Sequence, residues 1–310
     1  MQDKPTLYML VGLVASGKST YAKHIACGMD ATIFSSDELR EELFGDVNNQ
    51  SNNQKLFQEL HRRIKKCLKS GNNAVYDATN LNSNRRRAFL NELAKIPCEK
   101  KCIIMATPFE QCIDNNSNRD RKVPEDAMWR MYKSWQTPAL FEGWDSIEIR
   151  YWEGSKRSVD AVDYINSLMD FDQDNPHHSL TLGHHMLRAY DLASGNPNND
   201  IDITYAASLH DIGKAKCKTY VDYKGRKCKH AHYYGHENCG AYDVLFFDFY
   251  VDQTDELTLA VSLLINMHMN FYNFDRSPNP HKLHEKYKKL WGIDIYNKVA
   301  LLHEADVNAH

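Results

Sequence analysis

Residues 12–19 read Gly-Leu-Val-Ala-Ser-Gly-Lys-Ser, and an apolar run from Thr6 to Leu10 leads straight into them. Few patterns constrain a fold as tightly. The run reads as a buried strand, a helix follows from about Lys18 to Cys27, and the glycines fall in the turn between them. Glycine there lets backbone N–H groups crowd around an anion. The helix N-terminus adds a favourable dipole. Lys18 can bridge terminal phosphates and Ser19 can ligate Mg²⁺. The pattern assigns Gly12, Ala15, Ser16, Gly17, Lys18, Ser19 and Thr20 to the phosphates of ATP or another NTP.

The chain around this loop alternates strands and helices. Ala31–Ser35, Ala74–Tyr76, Lys101–Ala106 and Ile147–Trp152 read as strands. Lys55–Leu68, Arg85–Ala94 and Pro124–Tyr132 read as helices, the first from the spacing of Leu56, Leu60, Ile64 and Leu68. Alternation of this kind predicts a parallel sheet with helices on both faces. With 310 residues there is room for a second domain with its own core. Strand signals fade after Gly154–Arg157, a short helix is expected at Val162–Met169, and the rest reads as helical. We place the boundary near residue 160, giving an α/β domain over 1–160 and an all-α domain over 161–310.

Charge and histidine divide along the same line. Residues 1–165 hold 24 Lys and Arg against 22 Asp and Glu, and residues 166–310 hold 14 against 19. His24 and His61 lie in the first part and the other thirteen histidines in the second, which points to separate chemistry there. The overall charge of −3 provides no global attraction for nucleic acid. The eight cysteines form no CxxC; Cys98 and Cys102 are the closest pair, and free thiols in a reducing cytosol are expected. Tyr8–Ala15 lacks the basic flank and cleavage site of a signal peptide, and no stretch is long enough for a membrane helix. A cytoplasmic chain with no membrane association is expected.

Further residues gather where strands end, which is where sites form in open parallel sheets. Ser35-Ser36-Asp37-Glu38-Leu39-Arg40 ends the second strand. Asp37 there can take a proton from a hydroxyl, and Arg40, three residues on, can hold a phosphate. Read alone, Ser36 or Asp37 also suits a helix N-cap. Asp77-Ala-Thr-Asn80 ends the third strand. Arg119-Asp-Arg121-Lys122-Val-Pro124 precedes a helix and suits a lid over phosphates, or a solvated basic loop.

Taken together, GLVASGKST, SSDELR, YDATNLNSNRRR and RDRKVPED resemble the kinase domain of polynucleotide 5′-kinases over residues 5 to about 155. The resemblance implies ATP-dependent phosphorylation of a 5′-hydroxyl end. It makes Asp37 the general base, Arg40 the clamp on the transferring phosphate and Arg119 a lid arginine. Asp77 and Asn80 are then on the acceptor side, with Arg85–Arg87 engaging the polynucleotide. Members often carry a first lid arginine four residues before the second. Here that position is Asn115, so lid chemistry falls to Arg119, helped by Arg121. The same group includes kinases of small molecules.

In the second half, His210-Asp211-Ile-Gly-Lys214 closes an apolar helical run. His185, His236, His268 and Asp306 each lie in another helical segment with apolar neighbours. Any one of them suits a satisfied core histidine or aspartate. Five such segments together argue for a metal inside a helical bundle, of a kind that activates water. The segments LGHHMLRA, SLHDIGK, YYGHENCGA, LLINMHM and HEADVNAH resemble the HD superfamily of metal phosphohydrolases across residues 175–310. The resemblance implies His185, His210, Asp211 and Asp306 on a first metal and His236 and His268 on a second, with Asp211 between them. It implies one or two divalent transition ions, from Mn, Ni, Co, Fe or Zn. NPHHSLTLGHH and HYYGHE look most like the HD domains of tRNA-repair nucleotidyltransferases, which implies action on 2′,3′-cyclic, 2′- or 3′-phosphate ends. His178 and Lys214 become candidates for phosphate contact or acid catalysis; Lys214 equally suits a solvent-facing helix end. His184 competes with His185, and the spacing from Leu182 favours His185. Asp306 stands four residues from the last position given, so its helix is expected to fray.

The two halves imply a single role. The first would phosphorylate a 5′-hydroxyl and the second would clear a 3′ phosphate, the two repairs that a polynucleotide ligase requires. RNA ends, with DNA left open, are the implied partners. Two other functions share these motifs. One is a nucleoside or nucleotide kinase joined to an HD nucleotidase. The other is an NTP-gated nucleic-acid-binding regulator. The sequence leaves the oligomeric state open.

Overall fold

Thr6–Val11 (β1) is apolar at nearly every position and is buried along nearly its whole length, as a strand covered on both faces must be. In the computed structural model, which describes residues 4–49, 51–176, 179–197, 200–249 and 253–309, β1 lies in a five-stranded sheet. The chain continues through α1 (Lys18–Met29), β2 (Ala31–Ser35), α2 (Ser36–Phe44), α3 (Asn53–Lys69), β3 (Asn73–Asp77) and α4 (Ser83–Glu92). Next come β4 (Glu99–Ala106), α5 (Phe109–Ser117), α6 (Glu125–Tyr132) and β5 (Ser146–Tyr151). Strand order is β2-β3-β1-β4-β5, and every pairing is parallel. α3 turns Leu56, Leu60, Ile64 and Leu68 inward, one apolar stripe at helical spacing. This α/β arrangement is the one the alternation predicts.

The chain forms two compact units, one of Met1–Met131 with Pro138–Glu153, the other of Tyr132–Thr137 with Gly154–His310. Tyr132–Thr137 packs in the second unit although it lies early in the chain. The Tyr132 and Trp135 rings both meet Tyr242 edge-on. The Trp135 indole donates to Thr137 Oγ1 at 3.1 Å, and that hydroxyl lies 2.8 Å from Ser262 Oγ. The sequence offers no local sign of this, because Tyr242 and Ser262 are far along the chain.

In the second unit β6 (Val159–Asp160) precedes α7 (Ala161–Asn166), α8 (Leu182–Ser194), α9 (Ile201–Leu209) and α10 (Lys214–Cys217). A hairpin of β7 (Thr219–Val221) and β8 (Lys227–His232) follows, then α11 (His236–Asp243) and β9 (Phe247–Asp248). The chain ends through α12 (Asp255–Met267), α13 (Asn270–Asp275), α14 (Pro280–Trp291) and α15 (Ile293–Val307). The expectation of an all-α region is corrected here. β7 and β8 pair antiparallel, and β6 pairs with β9. Both ladders are too short to give a period-2 signal.

α9 is apolar almost all round because it packs against α8, α12 and α15. Gly213 lets the start of α10 sit on α11: a Cβ there would lie 2.1 Å from the His236 carbonyl oxygen. All eight cysteines are free thiols. Cys217 and Cys239, far apart in sequence, have sulfurs 3.5 Å apart. Among the described residues, no helix is long and apolar enough to cross a membrane.

Candidate functional site

The first unit places its chemistry at the C-terminal ends of β1, β2 and β3. Ser35 pairs with Asp77 across β2 and β3, and β3 neighbours β1, so the loop after β1 lies beside both. A cleft of about 940 Å³ opens there, lined by Gly17, Lys18, Ser19, Asp37, Arg40 and Asp77 among others. Ala15, Thr20, Arg85, Arg119 and Arg121 also line it.

The loop is held from below. Gly17 is left-handed at φ 85° and starts α1, a conformation that glycine adopts without strain. A Cβ on Gly12 would lie 2.7 Å from Ser16 Oγ and 3.0 Å from the Met105 carbonyl oxygen, so only glycine fits. Thr107 Oγ1 donates to the Ser16 carbonyl at 3.1 Å, and Asn115 Nδ2 donates to the Ala15 carbonyl at 3.1 Å. Asn115, where an arginine is common in the family that the sequence resembles, thus braces the phosphate loop itself.

Lys18 donates to the Leu13 carbonyl at 2.5 Å. Burial pushes its ammonium down to about 8, against the pull of the Asp77 carboxylate. An arriving polyphosphate favours the charged form and raises that pKa again. Nucleotide affinity is therefore expected to hold below pH 8 and to fall above it, by about tenfold per pH unit. Titration calorimetry across this range should also show proton uptake on binding. Flat affinity from pH 7 to pH 9.5 would contradict the role given to Lys18.

The Ser35 side chain accepts from the Glu38 N–H at 3.4 Å. Ser35, not Ser36 or Asp37, is therefore the N-cap of α2. This leaves the Asp37 carboxylate free of capping and half-exposed in the cleft. Asp37 Oδ1 accepts from Arg40 at 2.9 Å and Oδ2 from Arg121 at 3.1 Å. Arg40 is only 5 % exposed, donates also to Asn53 at 3.2 Å, and has a buried Nε with no acceptor among the described residues. A buried donor left without a partner costs about 1–3 kcal/mol, and Arg40 lines the cleft.

Arg121 gives its other donors to Asn48 Oδ1 and the Val47 carbonyl. These bonds join the segment before α6 to Asp37 and the 47–48 segment at the cleft wall. Arg119 is exposed at the cleft, and its charge acts on both Lys18 and Asp77. Asp77 is buried, which raises its pKa, while a hydrogen bond from Ser19 and the Lys18 charge act the other way. That bond ties Asp77 to the phosphate loop.

Two expected acceptor contacts are structural. Asn80 is absent from the cleft wall; its amide donates to the Leu10 carbonyl at 2.9 Å and ties the segment after β3 to β1. Arg86, grouped with Arg85 and Arg87 as a polynucleotide contact, is buried. It makes a bidentate pair with Glu142 at 2.6 and 2.7 Å and donates to the Asn80 and Leu81 carbonyls. Ser83 and Trp144 complete the shell of Glu142. Removing one partner strands the other charge, so Arg86→Ala is expected to destabilise this unit by about 3–5 kcal/mol. Denaturant unfolding should show the lowered midpoint.

In the second unit, five segments converge. His185 comes from α8, His210 and Asp211 from the turn after α9, His236 from the first turn of α11, His268 from the end of α12 and Asp306 from α15. All six are buried. His185, His210 and Asp306 form one set of ligand atoms, and Asp211, His236 and His268 a second, each set lying within 4.8 Å. Asp211 touches both: Oδ2 lies 3.4 and 3.3 Å from His185 and His210, and Oδ1 lies 3.1 and 3.7 Å from His236 and His268.

The imidazoles are oriented by backbone. His210, His236 and His268 place Nδ1 at 2.8, 2.9 and 2.7 Å from the carbonyls of Ala207, Tyr233 and Ile265. A carbonyl only accepts, so Nδ1 carries the hydrogen and Nε2 presents a lone pair inward. Nε2 atoms then face each other at 3.1 Å (His185 and His210) and 3.2 Å (His236 and His268). Opposed lone pairs at that distance require a cation or proton between them. The donor set therefore fits two divalent ions that accept imidazole and carboxylate.

Charge in the site follows the same logic. Burial lowers His210, yet Asp211 and Asp306 raise it to about 10, so the proton that these carboxylates hold on its Nε2 is the one a divalent ion would displace. Burial together with His236 and His210 pushes His268 down to about 3. Lys214 is buried, not solvent-facing; it lies 2.6 Å from Asp211 Oδ2 and donates to Gln173 Oε1 at 2.8 Å. His184 is exposed and bonds to Thr181, which leaves His185 as the inward residue of the pair. His177 and His178 lie outside the described residues.

Two contacts escaped sequence reasoning. Tyr272 Oη donates to Asp306 Oδ2 at 3.2 Å, and Gln173 supports Lys214. Neither sits in a motif, because each acts through a residue that does.

Residues 7–138 match the family model of an AAA domain. The chain is similar to the L-seryl-tRNA(Sec) kinase of Methanococcus maripaludis, 24% identical over 172 residues that cover 54% of this chain and 66% of that protein. The first unit is a kinase-like P-loop domain. The chain thus spans just under two thirds of that curated relative. Among solved structures it is similar to a gluconokinase from Sinorhizobium meliloti 1021, with a TM-score of 0.36, 15% identity, and coverage of 48% of this chain and 83% of the other. It is also similar to the Pnkp1/Rnl/Hen1 RNA repair complex, with a TM-score of 0.37, 20% identity, and coverage of 43% and 45%. At such TM-scores neither likeness bears on substrate.

Proposed function

We propose that this chain heals both ends of a broken polynucleotide. The first unit moves the γ-phosphoryl of an NTP to a 5′-hydroxyl, and the second removes a 2′,3′-cyclic, 2′- or 3′-phosphate. The observation that carries the reading is that one chain holds a cleft suited to adding a phosphoryl group and a His/Asp set suited to removing one.

In the cleft, Lys18 and the loop N–H groups hold the NTP phosphates, and Ser19 with Asp77 holds Mg²⁺. Asp37 takes the proton from the attacking hydroxyl. Arg40 meets the transferring phosphoryl with its vacant Nε, and Arg119 covers the phosphates from the lid. In the second unit, His185, His210, Asp306 and Asp211 would hold one divalent ion, and Asp211, His236 and His268 another. Such ions supply a water nucleophile at neutral pH. Lys214, fixed by Gln173, directs positive charge at Asp211.

Support for a nucleic-acid acceptor comes from the curated relative, whose name gives a kinase acting on a tRNA-borne seryl group. A 5′-hydroxyl oligonucleotide is expected to be phosphorylated with a kcat/KM at least ~100-fold above that of a nucleoside, because remote binding energy lowers the barrier. Steady-state labelling of both acceptors reads this. A nucleoside that equals or beats the oligonucleotide would make the enzyme a small-molecule kinase.

A further inference from the structure

The β7–β8 hairpin departs from the charge of the region that carries it. Residues 166–310 are acidic overall, yet Lys218 to His232 contains five Lys and Arg and a single Asp, Asp222. Asp222 is taken by Arg226, with a 2.6 Å ion pair. Lys224, Lys227 and Lys229 are exposed. Aromatic rings lie among them: Tyr223 is 78 % exposed, and Tyr220 and Tyr234 are each 43 % exposed. An exposed tyrosine contributes little to the core, and two on the hairpin with a third two residues past its end form an unusual surface.

Two of the three rings are held in place. Tyr220 Oη donates to Asp174 at 2.7 Å, and Lys218 lies 5.9 Å from its ring centre. Tyr234 stacks on His232 at 5.2 Å. The base of the hairpin is fixed by the Ala231 N–H donating to the Asp174 carbonyl at 2.9 Å, and by Asn175 Nδ2 donating to the Ala231 carbonyl at 3.1 Å.

Its two ends join the His/Asp set. β7 begins five residues after Lys214, which touches Asp211. β8 ends four residues before His236, and the intervening Tyr233 bonds to Gln173 and lies under Lys214. Six extended residues rise about 20 Å, so the tip reaches several nucleotides from the base.

Basic side chains interleaved with exposed aromatic rings fit a single-stranded nucleic acid, with lysines on phosphates and rings on bases. We propose that the β7–β8 hairpin is a single-strand platform that binds the nucleotides leading to the 3′ end presented to the His/Asp set. This rests on the end-healing reading for why such a strand would be there. Its test is binding alone.

The probe is a fluorescein-labelled single-stranded RNA of about a dozen nucleotides ending in a 3′-phosphate, titrated against the full chain. Lys224→Glu, Lys227→Glu and Lys229→Glu combined should weaken binding by at least ~10-fold. They should also reduce the slope of log affinity against log salt by about two, at roughly 0.7 per phosphate contact. Tyr223→Ala should weaken binding by about tenfold with the slope kept, since stacking is not ionic. The control carries the same charge change on α14: Lys282→Glu, Lys286→Glu and Lys289→Glu, at exposed positions. It should move affinity less than threefold.

With 4-thiouridine near the 3′ end, photo-cross-links should map to residues 218–234. Equal losses from the two triple variants, or cross-links lying elsewhere, would overturn the proposal. So would binding to vesicles of anionic lipid but not to RNA. A wild-type chain that binds through the hairpin yet hydrolyses no 3′ phosphate would instead sink the end-healing reading and leave the platform standing.

Discussion

Asp211→Asn is expected to abolish phosphate hydrolysis and to remove metal from both histidine sets at once, while labelling of a 5′-hydroxyl end continues. The reason is geometric. Each oxygen of Asp211 faces a different pair of imidazoles, so one substitution weakens both positions. Changing an outer partner of a ligand typically costs 10–100-fold in metal affinity. Losing the shared ligand should cost more than ~100-fold. Metal content by mass spectrometry of purified protein reads the binding, and release of a 3′ phosphate reads the chemistry. His268→Ala serves as the comparison: it should weaken the second set and leave His185, His210 and Asp306 able to hold an ion. Equal metal content in Asp211→Asn and the wild type would contradict the shared role.

Asp37→Asn is expected to have the opposite pattern. The carboxylate stands at the end of β2 with an oxygen toward each of Arg40 and Arg121, and an amide of the same shape cannot accept the proton of an attacking hydroxyl. General-base catalysis contributes about 10²–10⁴-fold, so labelling should fall by that factor with nucleotide affinity little changed. Hydrolysis at the second unit should persist. A large loss of nucleotide affinity with turnover intact would make Asp37 a structural anchor for the two arginines instead.

Local features were the legible ones. The phosphate loop needs only a strand, eight residues and a helix, all contiguous. Asp37 and Arg40 are one helical turn apart, so spacing alone shows that they meet. The His/Asp set is readable because its residues lie in separate apolar helical segments, with His210 and Asp211 adjacent.

The rest depends on distant partners. Arg86 looked like its neighbours Arg85 and Arg87 until Glu142, 56 residues on, was seen to neutralise it. Arg121 reads as a lid residue, and its reach of 84 residues back to Asp37 leaves no mark in the sequence. Asn80 reads as part of a site motif, but it bonds to the Leu10 carbonyl 70 residues earlier. Ser35 rather than Ser36 caps α2, a difference of one residue that propensity does not resolve. The hairpin is not legible in a region that reads as helical, since three- and six-residue strands carry little period.

The most direct measurement follows both ends of one RNA. An oligoribonucleotide with a 5′-hydroxyl and a 2′,3′-cyclic phosphate is incubated with the full chain, ATP, Mg²⁺ and Mn²⁺, and the mass of each end is read over time. The account predicts gain of a 5′-phosphate and loss of the terminal phosphate at the 3′ end, with Asp37→Asn blocking only the first and Asp211→Asn only the second. A wild-type chain that alters neither end of the RNA, while phosphorylating a nucleoside or hydrolysing a free nucleotide, would contradict it.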